Sequence, residues 1–230
     1  MRVAVVGGTG DLGFGLALRL GRAGLEVTIG SREQARAEDA ATRATEVLGT
    51  DASVGGRENP RAVAEADVVF VTVPYAGQAV IYKSIREDIP DGAVVCDTTT
   101  PLATAVGGRS THVLRPWQGS AAEQAKELLG ERAGRLVAGF HSVGADAMQN
   151  LEGPVHGDVL LCGAEAEAKA LVGDLVDRIP GLRWVDCGPL STARVLEPLT
   201  ALLISVNRRY GLTDTGVQLA GRETWGRPPG

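Results

Sequence analysis

The chain lacks most of the patterns from which a function is usually read at once. Its three cysteines, Cys96, Cys162 and Cys187, are odd in number and widely spaced, with no CxxC pair and no Cys/His cluster. No metal site is expected, and each thiol reads as a small buried hydrophobe. Long apolar runs are missing as well. Gly7 and Gly8 break the first run after four residues, so the N-terminus reads as a strand and not as a signal peptide. The stretch Leu199–Val206 falls far short of the roughly 20 residues that a bilayer span needs. Positive charge is in deficit, with 23 Lys and Arg against 28 Asp and Glu and a formal charge of −5. This balance argues against a general nucleic-acid binder. No Ser-His-Asp constellation, paired carboxylates or phosphate-loop lysine stands out, nor does an internal repeat or a low-complexity linker. The expectation is a protein of a reducing cytoplasm whose partners are small molecules, without nucleic acid or membrane among them.

What the chain does have is an alternation of strand and helix, with 44% hydrophobic residues to build a core. Val3, Val5 and Val6 predict a first strand, and Leu12, Leu16, Ala17 and Leu20 recur at helical spacing after it. Val27-Thr28-Ile29 predicts a second strand, Glu33–Leu48 a second helix, and Ala52–Val54 a short edge strand. The unbroken apolar run Asp67–Val73 predicts a central strand covered on both faces. Further strands are expected at Ala93–Cys96, Arg135–Phe140, Val159–Cys162 and Leu182–Val185, with helices starting at Ser120 and spanning Ala164–Ile179. A last apolar helix carries Val195, Leu199, Leu202, Leu203 and Val206 on one face, with Pro198 either kinking or starting it. Gly107–Gly119 reads as a surface loop. The fold class is therefore α/β, a Rossmann-like doubly wound, mostly parallel sheet with helices on both faces and a small C-terminal cleft subdomain. Residues 1–140 form the expected nucleotide-binding domain, 141–220 the smaller region, and 221–230 a flexible tail.

Gly8-Thr9-Gly10-Asp11-Leu12-Gly13 directly follows the first strand and opens the first helix. In that context the glycines permit a tight turn and let backbone N–H groups approach a pyrophosphate at a helix N-terminus. Asp11 is discordant beside an anion, unless it points outward and caps the helix. The end of the second strand is more specific. A binder of NAD places Asp or Glu there to hold the ribose 2′-OH, whereas this chain has Ser31 and Arg32, with Arg36 four residues on. Guanidinium forks match phosphate oxygens, so the nucleotide expected is NADP(H). Pro74 and Tyr75 close the central strand beside the switch in strand order, and Thr98-Thr99-Thr100-Pro101 leaves the next strand on the same edge. His141 follows a strand at that edge and is a candidate acid or base. These residues leave the hydride acceptor open. A flavin, an imine or a metal complex is as compatible as any other, and so is an NADP(H)-sensing module without turnover.

The segments GGTGDLGFGLALRL and IGSREQAR, then Gly139-Phe140-His141-Ser142-Val143 and finally VDCGPLSTARVLEPLT (185–200) together resemble the F420H2:NADP+ oxidoreductases. The resemblance covers about residues 1–210 and is weakest over Gly107–Gly119. It implies reversible hydride transfer between NADP(H) and the deazaflavin coenzyme F420 as co-substrate. By that resemblance Thr9, Gly10, Asp11 and Leu12 meet the pyrophosphate, and Ser31, Arg32 and Arg36 hold the 2′-phosphate. Pro74 and Tyr75 border the nicotinamide half, and His141, Ser142, Val143 and Ala145 line the junction of the two rings. Gly188, Pro189 and Leu190 form part of the deazaflavin cleft beneath the last helix. The apolar last helix also leaves a homodimer contact open.

Overall fold

The structure, a computed structural model, describes residues 1–221 together with Trp225 and Gly226. The rest of the expected tail lies outside the described residues. The chain alternates from the start: β1 (Arg2–Val6), α1 (Asp11–Arg22), β2 (Glu26–Ser31), α2 (Gln34–Leu48), β3 (Val54–Glu58), α3 (Asn59–Val63), β4 (Val68–Val71), α4 (Tyr75–Ile85) and β5 (Val94–Asp97). After an irregular stretch come α5 (Ala121–Leu129), β6 (Leu136–Ala138), α6 (Ala145–Gln149), β7 (Gly157–Gly163), α7 (Ala166–Val176) and β8 (Leu182–Asp186), closed by α8 (Ala193–Leu196) and α9 (Pro198–Tyr210). The eight strands form one sheet in the order β3-β2-β1-β4-β5-β6-β7-β8. Chain order reverses at β1, which pairs in parallel with both β2 and β4, with Val5 opposite Ile29 on one side and Phe70 on the other.

Strand alternation builds two cores. Val3 and Val5 of β1, with Val68 and Phe70 of β4, face α1, α2, α6 and α7. Ala4 and Val6, with Val69 and Val71, face α3, α4, α5 and α8. A doubly covered sheet explains why these strands read as unbroken apolar runs and not as alternating ones. Both cores continue through β6 and β7, so the sheet runs unbroken past residue 140.

The expected strand at Ala52–Val54 instead begins at Val54 and runs to Glu58. Pairing with β2, from Val27 opposite Val54 to Ser31 opposite Glu58, fixes its place in spite of Gly55 and Gly56. The strand expected to reach Phe140 stops at Ala138, because Phe140 turns into the left-handed region (φ 67°). A bulky side chain there costs about 1–2 kcal/mol. Its ring is buried edge-to-face on Phe70, with centroids 5.6 Å apart. Ser120 makes the expected cap, accepting from the Glu123 amide at 3.1 Å. Pro198 starts α9, while α8 forms a separate turn before it.

The feature with most consequence for the site is direction. β6 and β7 are antiparallel, and β8 is parallel to β7. The last two strands therefore run against the first six.

Candidate functional site

The carboxyl ends of β1, β2 and β4 open on a cleft of about 540 Å³ lined by Gly7, Thr9, Gly10, Ser31, Arg32, Arg36, Asn59, Thr72, Val73 and Pro74, with Val80 and Ile81 of α4 beyond. The loop between β1 and α1 is held by its own amides. Gly8 donates to Val5 O and Gly30 O, each at 3.1 Å, and Gly10 donates to Gly7 O at 3.0 Å. Gly8 thus shapes the loop from below and does not itself line the cleft. Gly13 is needed for packing, since a Cβ there would lie 2.4 Å from Thr72 Oγ1 and 2.8 Å from Gly8 Cα. Gly10 is the N-cap of α1 and no side chain caps this helix, which leaves the first-turn amides of Asp11, Leu12 and Gly13 for an anion. Asp11 is exposed but is not the cap, because the preceding glycine already occupies that position.

Ser31 is buried at the end of β2, while Arg32 and Arg36 are exposed. Arg32 lies two residues before α2, so the β2–α2 bend, not helical spacing, brings both guanidinium groups to the same cleft. Arg36 also faces Glu33 at 3.9 Å, an exposed pair too weak to compete with a bound phosphate. Pro74 lines the cleft. The half-buried Tyr75 instead donates its hydroxyl to Gln124 Oε1 at 3.0 Å. From there Gln124 donates to Gln78, and Gln78 to the fully buried Asp97, which also accepts from Tyr82. Burial pushes the Asp97 carboxyl up against the pull of these donors.

The carboxyl ends of β5 and β6 form a second cluster. His141 is 6% exposed. Thr200 of α9 donates to the His141 carbonyl at 2.7 Å, and Thr100 Oγ1 lies 2.9 Å from Thr200 Oγ1 and 3.5 Å from His141 Nδ1. Thr200 has one hydrogen and uses it on the carbonyl, so Thr100 donates to Thr200 and is left to accept from His141. This assigns the His141 proton to Nδ1. Nε2 is then an acceptor, buried and without a partner. Burial pushes the His141 pKa down to about 4, so the ring is neutral at physiological pH. Ser142 donates to Asp158 O at 3.0 Å. Val143 packs against the first core, and Ala145 opens α6. α6 is clamped to α1 by the buried Arg19, whose guanidinium donates to the carbonyls of Ala147, Met148, Asn150 and Gly153. The segment after α9 closes over this cluster, with Leu219 N on Asp158 Oδ2 at 2.6 Å and Asp214 against Gly144.

Gly188, Pro189 and Leu190 are not brought to this cluster. Gly188 O accepts from Gly163 N at 3.0 Å, and Gly163 pairs with Val137 in β6. They therefore sit beside the beginning of β6, while Ser142 meets Asp158 near the start of β7. Five residues of strand separate the two levels, about 16 Å. The reversed direction of β7 and β8 is the reason. The pattern of residues gave no warning of Thr72 or Thr200. Only an Asn-Pro turn signal marked Asn59, and nothing in the spacing linked Thr200 to His141.

The glycine loop with an open helix N-terminus, two cleft-facing arginines and a neutral buried histidine beyond them fit a phosphorylated dinucleotide. Comparison with known proteins bears on the chemistry. A family model described as NADP oxidoreductase, coenzyme F420-dependent, matches residues 2–101. The chain is 41% identical over 220 residues to the F420-dependent NADP reductase of Methanothermobacter thermautotrophicus, covering 95% of this chain and 94% of the relative. It is 40% identical over 226 residues to that of Methanocaldococcus jannaschii, covering 97% and 100%. Among solved structures it is similar to a putative F420-dependent NADP reductase of Arthrobacter sp. FB24, with a TM-score of 0.80, 24% identity, and 96% and 100% coverage. This last likeness speaks to the fold.

Proposed function

The chain belongs to the coenzyme F420-dependent NADP oxidoreductases, and from that premise we infer how its cleft divides the work. The protein is an oxidoreductase that moves a hydride between NADP(H) and the deazaflavin coenzyme F420. The two coenzymes supply the reactive carbons, and the polypeptide supplies placement. Residues 1–140 take the NADP(H). The amides of Asp11, Leu12 and Gly13 receive the pyrophosphate at the start of α1, and Ser31, Arg32 and Arg36 receive the 2′-phosphate. Pro74 borders the path from there toward β5. Residues 141–220 contribute the far wall, where His141, Ser142, Val143 and Ala145 are held by Thr100, Thr200, Asp158 and Arg19. A neutral His141 adds no positive charge beside a carbon that gives up or receives hydride. Gly188, Pro189 and Leu190 have no part in this wall. The single observation that carries the reading is the convergence of the glycine loop, Ser31, Arg32 and Arg36 on one cleft.

Mixing the purified protein with NADPH and F420 tests it. Loss of deazaflavin absorbance with matching NADP+ formation is expected. No exchange with F420, alongside turnover of FMN or a cyclic imine, would sink the assignment. We place the protein in the cytoplasm, supported by three free thiols, and a fractionation that finds it elsewhere would reject this. Among the described residues no helix is long and apolar enough to cross a membrane. A homodimer is supported by the exposed apolar side chains Val195, Leu202 and Tyr210 around α9. A monomer in sedimentation at micromolar concentration would count against it.

A further inference from the structure

Among the described residues the cleft contains one buried polar side chain whose hydrogen-bonding capacity the protein leaves unused. Asn59, the first residue of α3, is 3% exposed and lines the cleft together with Ser31 and Thr72. No hydrogen bond among the described residues engages its carboxamide, and Oδ1 is buried without a partner. The oxygen rests over Gly30, where a Cβ would come within 2.7 Å of it. Gly30 immediately precedes Ser31 and Arg32, so the carboxamide is pressed against the very turn that carries the two phosphate-facing residues. A buried carboxamide left unpaired costs free energy that an apolar residue of similar shape would not. Such a group is readily accounted for if a ligand completes it.

We propose that Asn59 is a further specificity-determining residue for the 2′-phosphorylated ribose of NADP(H). Its Nδ2–H donates to a phosphate oxygen. Arg32 and Arg36 supply charge from exposed, flexible positions, whereas Asn59 supplies a fixed neutral donor from a buried one. The division has a chemical consequence. A neutral donor tolerates a phosphate, while a carboxylate at the same place repels it and suits a free 2′-hydroxyl instead.

The inference rests on the cleft being the NADP(H) site, so the test separates the two. Binding of adenosine 2′,5′-bisphosphate and of AMP to the full chain is measured by calorimetry for wild type, Asn59→Ala, Asn59→Asp and Arg32→Ala. Asn59→Ala is expected to weaken the bisphosphate about tenfold, the scale of one hydrogen bond to a charged group, with AMP unchanged. Asn59→Asp is isosteric, its fold is checked by circular dichroism, and it is expected to weaken the bisphosphate by about a hundredfold through like-charge repulsion. Equal losses for both nucleotides, or no loss for either, would overturn the role of Asn59 while Arg32→Ala still lowers the preference for the bisphosphate. If Arg32→Ala also leaves that preference intact, the placement of the 2′-phosphate falls and this inference falls with it.

Discussion

Glu197 sits between α8 and α9 with its carboxylate against the start of α5, accepting from Ala121 N at 2.9 Å and Ala122 N at 3.0 Å. The residue is 1% exposed. Burial pushes its pKa from 4.5 up to about 8; the two amides pull it back, and Asp97 and Glu123 add to the rise. Between those values the folded state holds a proton that the unfolded chain has released, so stability falls as pH rises. His141 works in the opposite sense at lower pH. Its pKa is held down to about 4 against 6.5, so it costs stability as pH falls below 6.5. Above that pH the imidazole is neutral in both states and Glu197 dominates. From pH 6.5 to 8 the loss accrues at about 1.4 kcal/mol per pH unit, roughly 2 kcal/mol in all. For a chain of this length that is a fall in Tm of about 4–8 °C. Glu197→Gln keeps the shape and cannot titrate. Its amide sets a donor against a backbone N–H and costs about 1–2 kcal/mol, so the variant begins below wild type at pH 6.5. Its curve is then flat, and the two approach each other by pH 8. Thermal unfolding followed by circular dichroism across this window reads both curves. A wild-type Tm that does not fall, or a variant that falls in parallel, refutes the reasoning.

Two further outcomes follow from the cleft. Arg32→Ala is expected to raise KM for NADPH with little change in kcat, by about 1.5–3 kcal/mol of lost charge-assisted binding; steady-state kinetics check this, and an unchanged KM removes Arg32 from the 2′-phosphate site. Gly13→Ala sets a methyl against Thr72 Oγ1 and the backbone of Gly8, so overpacking of about 1–3 kcal/mol outweighs the helix propensity gained. Tm and NADPH affinity both drop, whereas a higher Tm, as for glycine replaced on an open helix face, would show that the contact is not tight.

The parts of the site that could be read in advance are those in which local sequence and local geometry coincide. β1, the glycine loop and α1 are contiguous, and so are the end of β2 and its two basic residues. A strand-turn-helix unit built from adjacent residues needs no distant partner to define it. Asn59 escaped because the short α3 has no period to detect, and its importance comes from lying over Gly30, 29 residues earlier in the chain. Thr200 escaped because its link to His141 spans 59 residues and runs through a hydroxyl and a carbonyl. The position of the turn at Gly188 was not legible in the sequence. All seven residues of β7 are buried, and a strand apolar on both faces carries no sign of its direction.

By itself the sequence determined the α/β class and the strand-loop-helix that opens it, and Ser31, Arg32 and Arg36 in place of an acidic residue pointed to NADP(H). These depend on periodicity and on side-chain chemistry within a few residues. The tertiary structure alone decided which distant groups share the site. It turned β7 against β6, carried the Gly188 turn to the far edge of the sheet, and brought Thr200 and the closing segment over His141. Strand direction and helix docking are set by how two buried faces are covered at once, and that information is spread over the whole chain.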